Sequence, residues 1–154
     1  MTMLRLGTQK QRGATAIEFA IVFSLLFGIF WATISYALPF FLNQVMNHAV
    51  AEGARFAVRA DPDEPSYEAV LQELANQEIL NELSVLPPKF RTNLITTVEV
   101  QDVGTQRYLI VTLTYPNYSS QPIIPVLNLP GLGPIPNLPG DLRASSRLRL
   151  PSQN

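Results

Sequence analysis

Between Arg12 and Glu52 the chain carries a single charged side chain, Glu18. Residues 12–42 read RGATAIEFAIVFSLLFGIFWATISYALPFFL, a run far too apolar for an ordinary surface helix. About 20 apolar residues cross the hydrocarbon layer of a bilayer, so the pattern predicts a membrane helix over 14–42 and confines the rest of the chain to what can be hung on it. A carboxylate inside the first turns of such a helix is costly, which makes Glu18 a functional candidate by position alone.

Residues 1–13, MTMLRLGTQKQRG, hold Arg5, Lys10 and Arg12 with no acidic residue, a leader that keeps its side of the membrane cytoplasmic and sends the remainder across. A secretory signal would share the basic start but end in a small-residue cleavage site after a shorter apolar core; here the run continues, so retention of the helix is expected. As a continuous helix, 14–42 spans about 44 Å against a hydrocarbon layer of about 30 Å. Part of it must tilt or project beyond the lipid. Pro39 predicts a kink near Ser35–Pro39, and Trp31 and Tyr36 suit the interface.

The composition narrows the function classes. Of 154 residues, about 110 lie beyond the apolar stretch, enough for one modest core. A net charge of −1 argues against nucleic-acid binding, which needs a clustered positive excess. With no cysteine there are no disulfides, zinc-thiolate sites or thiol nucleophiles, and the lone His48 is too little for most metal or acid–base sites. No cofactor site is expected. Ser24 and Ser35 lie in the apolar stretch without histidine or lysine partners, so an enzyme has little support.

Glu18 admits two readings. In one it merely snorkels to the headgroups from about a turn inside. In the other, cleavage between Gly13 and Ala14 leaves a cationic amine, which Glu18 of a neighbouring subunit neutralises when helices pack side by side in a low dielectric. The order of basic leader, Gly13, four small or apolar residues, Glu18, the aromatic Phe19 and a long apolar helix resembles the type IV prepilin pattern. Beyond the helix stands Ala49-Val50-Ala51-Glu52-Gly53-Ala54-Arg55, and the two elements together are similar to the TadE-like pseudopilins of the tight-adherence (Flp pilus) system over residues 12–59. The resemblance implies processing by a prepilin peptidase and an accessory role in pilus assembly. Implied partners are other pilins and pseudopilins, the inner-membrane assembly machinery and the lipid bilayer. The implied place is a bacterial inner membrane, with the head in the periplasm. One departure is the length of the outer part, since the major pilins of that system resemble little more than the helix.

Residues 43–60 keep helical periodicity, with Gln44, His48, Glu52, Arg55 and Arg59 on a polar stripe and Val45, Met46, Ala49, Val50, Gly53, Phe56 and Ala57 opposite. Glu52 and Arg55 read as a solvated ion pair, and the small residues Ala49, Gly53 and Ala57 permit close approach of another element. Asp61-Pro-Asp-Glu-Pro ends this helix, and its acidic residues read as a solvated helix-start turn. Ser66 is expected to cap a second helix running to about Ser84. Its apolar face begins with Tyr67, Val70, Leu71 and Leu74 and shifts phase through Ile79, Leu80 and Leu83, so that a bend near Asn76 is expected.

Residues 94–101 and 108–115 alternate as two strands of a hairpin turning at 102–106. Residues 142–150 alternate most cleanly, with Leu142, Ala144, Ser146, Leu148 and Leu150 against Arg143, Ser145, Arg147 and Arg149, an arginine face expected to be solvated. Between them, residues 116–140 carry seven prolines and three glycines together with many aliphatic residues, and read as a loop that either covers the sheet or contacts another subunit. The fold expected is α+β: a long N-terminal helix crossing the membrane and continuing into a head (43–154) with a second helix and about three antiparallel strands. The function expected is that of a minor pilin-like subunit. The alternative is an uncleaved single-pass component of another envelope assembly or secretion apparatus.

Overall fold

The computed structural model describes residues 11–120, 122, 124–129 and 133–151. The basic leader at 1–10, and with it most of the predicted cytoplasmic segment, lies outside the described residues, as do Ile123 and Leu132 of the Pro-rich tract. The architecture is α+β, as the patterning predicts. Helix α1 runs from Gln11 to Ala57 without a break in its helical assignment, with Pro39 inside it. At about 1.5 Å per residue its 47 residues make a rod of about 70 Å.

Helix α2 (Tyr67–Glu82) returns alongside α1 and continues into a 3-10 turn at Leu83–Val85, and a short helix α3 (Pro88–Arg91) leads into the sheet. Strands β1 (Ile95–Val103), β2 (Gln106–Tyr115) and β5 (Leu142–Arg149) form an antiparallel sheet in the order β1-β2-β5. Pairing of Val103 with Gln106 tightens the hairpin turn to Gly104-Thr105, where Gly104 takes a φ of 63°, readily open to glycine. Tyr115 pairs with Leu142, so the tract between them leaves and rejoins the sheet at one end.

The core lies between the helices and one face of this sheet. Met46, Ala49, Val50, Ala54 and Ala57 of α1 meet Leu71, Ala75 and Ile79 of α2 and Leu109, Val111, Leu113 and Ala144 of the strands, all buried. The alternation in β5 holds: Leu142, Ala144 and Leu150 are buried, while Arg143, Arg147 and Arg149 are exposed, with the Arg147 guanidinium 3.9 Å above the Tyr108 ring.

Three expectations are corrected. Ser66 occupies the N-cap position of α2 but makes no capping hydrogen bond; its hydroxyl lies 3.3 Å from the Glu64 carboxylate. The buried face of α2 does not shift phase, because Tyr67, Leu71, Ala75 and Ile79 recur every fourth residue and Leu83 continues them, leaving Leu80 exposed. Ala75 completes the column, and without it Leu80 stands in as a false member. The Pro-rich tract has structure of its own: β3 (Leu127–Leu129) pairs antiparallel with β4 (Gly133–Ile135). Tyr118 and Pro136 are buried there, and Leu138 packs on the core.

At the far end of the head, Arg107 bridges α2 and β1. It donates to Glu68 of α2 and, over 3.1 Å, to Asp102 of β1. The Glu68 hydrogen bond is the chief reason its pKa rises above the already high arginine value. Next to it, burial pushes the Tyr67 phenol above its ordinary value, an effect the Arg107 charge partly offsets.

Candidate assembly and membrane surface

Every residue from Gly13 to Phe27 is exposed. Nothing stands within 4 Å of where a Cβ on Gly13 would lie, so the Gly13-Ala14 bond sits on an open helix flank. Glu18, one turn further on, makes neither an ion pair nor a hydrogen bond among the described residues. It is surrounded along the helix by apolar side chains that no part of the fold covers: Ile17, Phe19, Ile21, Leu25, Leu26 and Phe30 each leave about 60% or more of their surface free. None of the most apolar 18-residue window is buried, and α1 is long and apolar enough to cross a membrane. A soluble monomer rarely leaves a continuous apolar surface of this size in water.

Along this surface runs an aromatic line of which the sequence analysis singles out only the two ends, Phe19 and Trp31. Phe19, Phe23, Phe27 and Trp31 stack in a line, with ring centroids 5.8, 6.1 and 6.2 Å apart. Their i, i+4 spacing was available in the sequence, since residues four apart share a helix face. The line begins beside Glu18 and ends where the head begins to cover the helix.

That cover starts earlier than position 43. Trp31 and Ala32 are half-buried, and Ser35, Pro39 and Leu42 are buried. The backbone N–H of Asn137 donates to the Tyr36 hydroxyl over 3.2 Å, so the Pro-rich tract reaches α1 at this level.

The second element singled out in the sequence resolves into two roles. Ala49, Gly53 and Ala54 point inward. A Cβ on Gly53 would lie 2.6 Å from Ile79 Cγ1 and 3.1 Å from the Ala75 carbonyl oxygen, so glycine is what lets α2 cross here. Glu52 and Arg55 face outward as an ion pair of 2.7 Å. His48, on the same stripe, lies 3.3 Å from Glu82 and links α1 to α2 at their surface. The structure thus gathers Gly13, Ala14, Glu18 and Phe19 on one bare flank and places Ala49, Glu52, Gly53, Ala54 and Arg55 some eight turns away in the packing of the head. Among the described residues no group of histidine and acidic side chains is arranged to hold a metal ion.

These two clusters stand at the two ends of one stretch that matches a known family model. Residues 13–55 match the model of the TadE-like protein family. The TadE-like segment therefore begins at Gly13, includes the exposed span and its Glu18, and ends on Arg55, taking in the α2 crossing at Gly53 but none of the strands. No curated protein and no solved structure gives a significant match to the chain. The TadE-like match associates the chain with tight-adherence pilus systems and with other pilus components in general, and the long apolar helix fits a single-pass membrane anchor in such a system.

Proposed function

We propose that the protein is a pseudopilin of a tight-adherence pilus, cut by a prepilin peptidase between Gly13 and Ala14. Its span would pack laterally among other pilin helices in the inner membrane, with the head on the periplasmic side. The observation that carries this reading is the bare apolar flank of α1 bearing a Glu18 with no partner among the described residues, within the stretch that matches the TadE-like model. A carboxylate left in hydrocarbon needs a cation, and the amine of Ala14 on an adjacent processed subunit is chemically the nearest match. The basic leader supports the orientation. The role is one of assembly, without catalysis.

The length of the cover on α1 sharpens the membrane segment. Residues 14–34 are the part of the apolar run that the head leaves bare or, at Trp31 and Ala32, only partly covers, about 31 Å of helix and close to the hydrocarbon thickness of about 30 Å. We therefore draw the membrane segment to end near Ile34, with the head beginning at Ser35.

Intact-mass measurement and N-terminal sequencing of the protein purified from a host with the prepilin peptidase should give a chain beginning at Ala14. Persistence of Met1 in that host would reject the processed-pseudopilin reading and favour an uncleaved anchor.

A further inference from the structure

The end of the head nearest the apolar span differs chemically from the far end. From Pro116 to Gly140 there is no charged residue. This tract leaves β2 at Tyr115 and rejoins β5 at Leu142, paired neighbours at one end of the sheet. Asn93, just before β1, donates to the Tyr115 hydroxyl over 3.1 Å, so α3 with Lys89 and Arg91 lies at the same end. The hairpin turn Gly104-Thr105 and the acidic Asp61–Glu64 turn mark the opposite end, reached by α1 only after Ala57.

Height decides what this end meets. The Asn137 contact is to Tyr36, two residues past Ile34, or about 3 Å further along the helix. The headgroup layer on each side of a bilayer is about 5–7 Å deep. Alongside, Pro39, Phe40, Asn43, Leu138, Asp141 and Arg143 line an open groove of about 340 Å³ between α1 and the tract. On α1 itself Leu38, Phe40 and Phe41 remain exposed, and in the tract so does Leu127.

We propose that the Pro-rich tract is a membrane-seating surface. Pro125 and Leu127, both exposed, rest among the headgroups of the leaflet from which α1 emerges, and Arg143, beside Asp141 at the edge of the tract, is placed to meet lipid phosphate. The inference rests on the reading that 14–34 spans the bilayer. A lipid surface is then an obligatory neighbour at this height, whereas a protein partner is not. An uncharged tract enters the interface without desolvating charge, and an arginine at its edge gains from the anionic headgroups.

The chain has no cysteine, so single labels can be placed in the otherwise unaltered protein. Leu127→Cys, Pro125→Cys, Thr105→Cys and Ile29→Cys would each carry an NBD fluorophore, in vesicles of phosphatidylethanolamine and phosphatidylglycerol with or without lipid spin-labelled near the headgroup end of its acyl chain. Spin-labelled lipid should quench the labels at 127 and 125 at least twofold more than the label at 105, which stays aqueous, and should also quench the label at 29. Quenching at 125 and 127 no greater than at 105, with 29 quenched, overturns the seating surface and leaves the membrane span standing. An unquenched label at 29 rejects the span itself, and the seating surface with it. A blue shift at 127 that requires high protein density and is insensitive to the lipid quencher assigns the tract to contact between copies and also overturns the proposal.

Discussion

Glu18 and Gly53, both within the stretch that matches the TadE-like model, differ in what surrounds them. Glu18 touches nothing that would depend on it for stability, so Glu18→Ala should insert in the membrane and fold as the parent does, yet fail to enter the fibre. Alkali-resistant membrane association, with loss of pilus incorporation measured by shear fractionation, is the expected pair of results; normal incorporation would remove the charge-neutralisation role. Gly53 is the reverse case. Replacing it with alanine gains about 1 kcal/mol of helix propensity but forces Ile79 aside, and valine brings further bulk against the Ala75 carbonyl with no such gain. Gly53→Val should lower the stability of the head by about 2 kcal/mol or more in denaturant unfolding, with processing at Gly13 unchanged. Sequence alone pointed Glu18 to charge pairing and Gly53 to close approach of another element, but did not say which element approaches. The distinction lies in what stands opposite each: open space for Glu18, and α2 for Gly53.

Among the elements, α1 and β5 were fully legible, because long one-sided patterns survive almost any tertiary context: the helix was drawn from its apolar run and its polar stripe, the strand from nine alternating residues. Helix α2 was harder. Its buried column uses Ala75, a residue whose size carries little hydrophobic signal, and Leu80 took its place in the reading. Leu71→Ala should cost about 2–5 kcal/mol, while Leu80→Ala should change stability by less than about 0.5 kcal/mol. Comparable losses from the two in thermal unfolding would restore the phase-shifted face and its bend. The β3-β4 hairpin was illegible for a different reason. Three-residue strands with Pro130 and Pro134 in or beside them lack both the length and the alternation that mark a strand.

For the whole molecule, the apolar pattern of α1 did not reveal where the membrane stops and the head starts, because lipid and core ask for the same side chains. The burial of Ser35, Pro39 and Leu42 beyond an uncovered span is what supports the boundary proposed near Ile34. A chain beginning at Trp31 should therefore form a folded head in mild detergent, while one beginning at Asn43 loses those contacts and the Tyr36 bond to Asn137. Removing Leu42 alone from its buried site is worth about 2–3 kcal/mol, so the shorter chain should melt roughly 10 °C lower by circular dichroism. Equal melting temperatures would return the boundary to 43.

The rod and its one-sided load also set a limit on crowding. Packed helices lie about 8–10 Å apart, yet the second half of α1 carries a second helix and a sheet against it. Two copies can bring their bare spans into contact only by sliding along the axis or by turning their heads to opposite sides. A slender neighbour, little more than a helix, would meet no such obstruction, whereas a neighbour of the same shape would have to be staggered along the axis or turned about it.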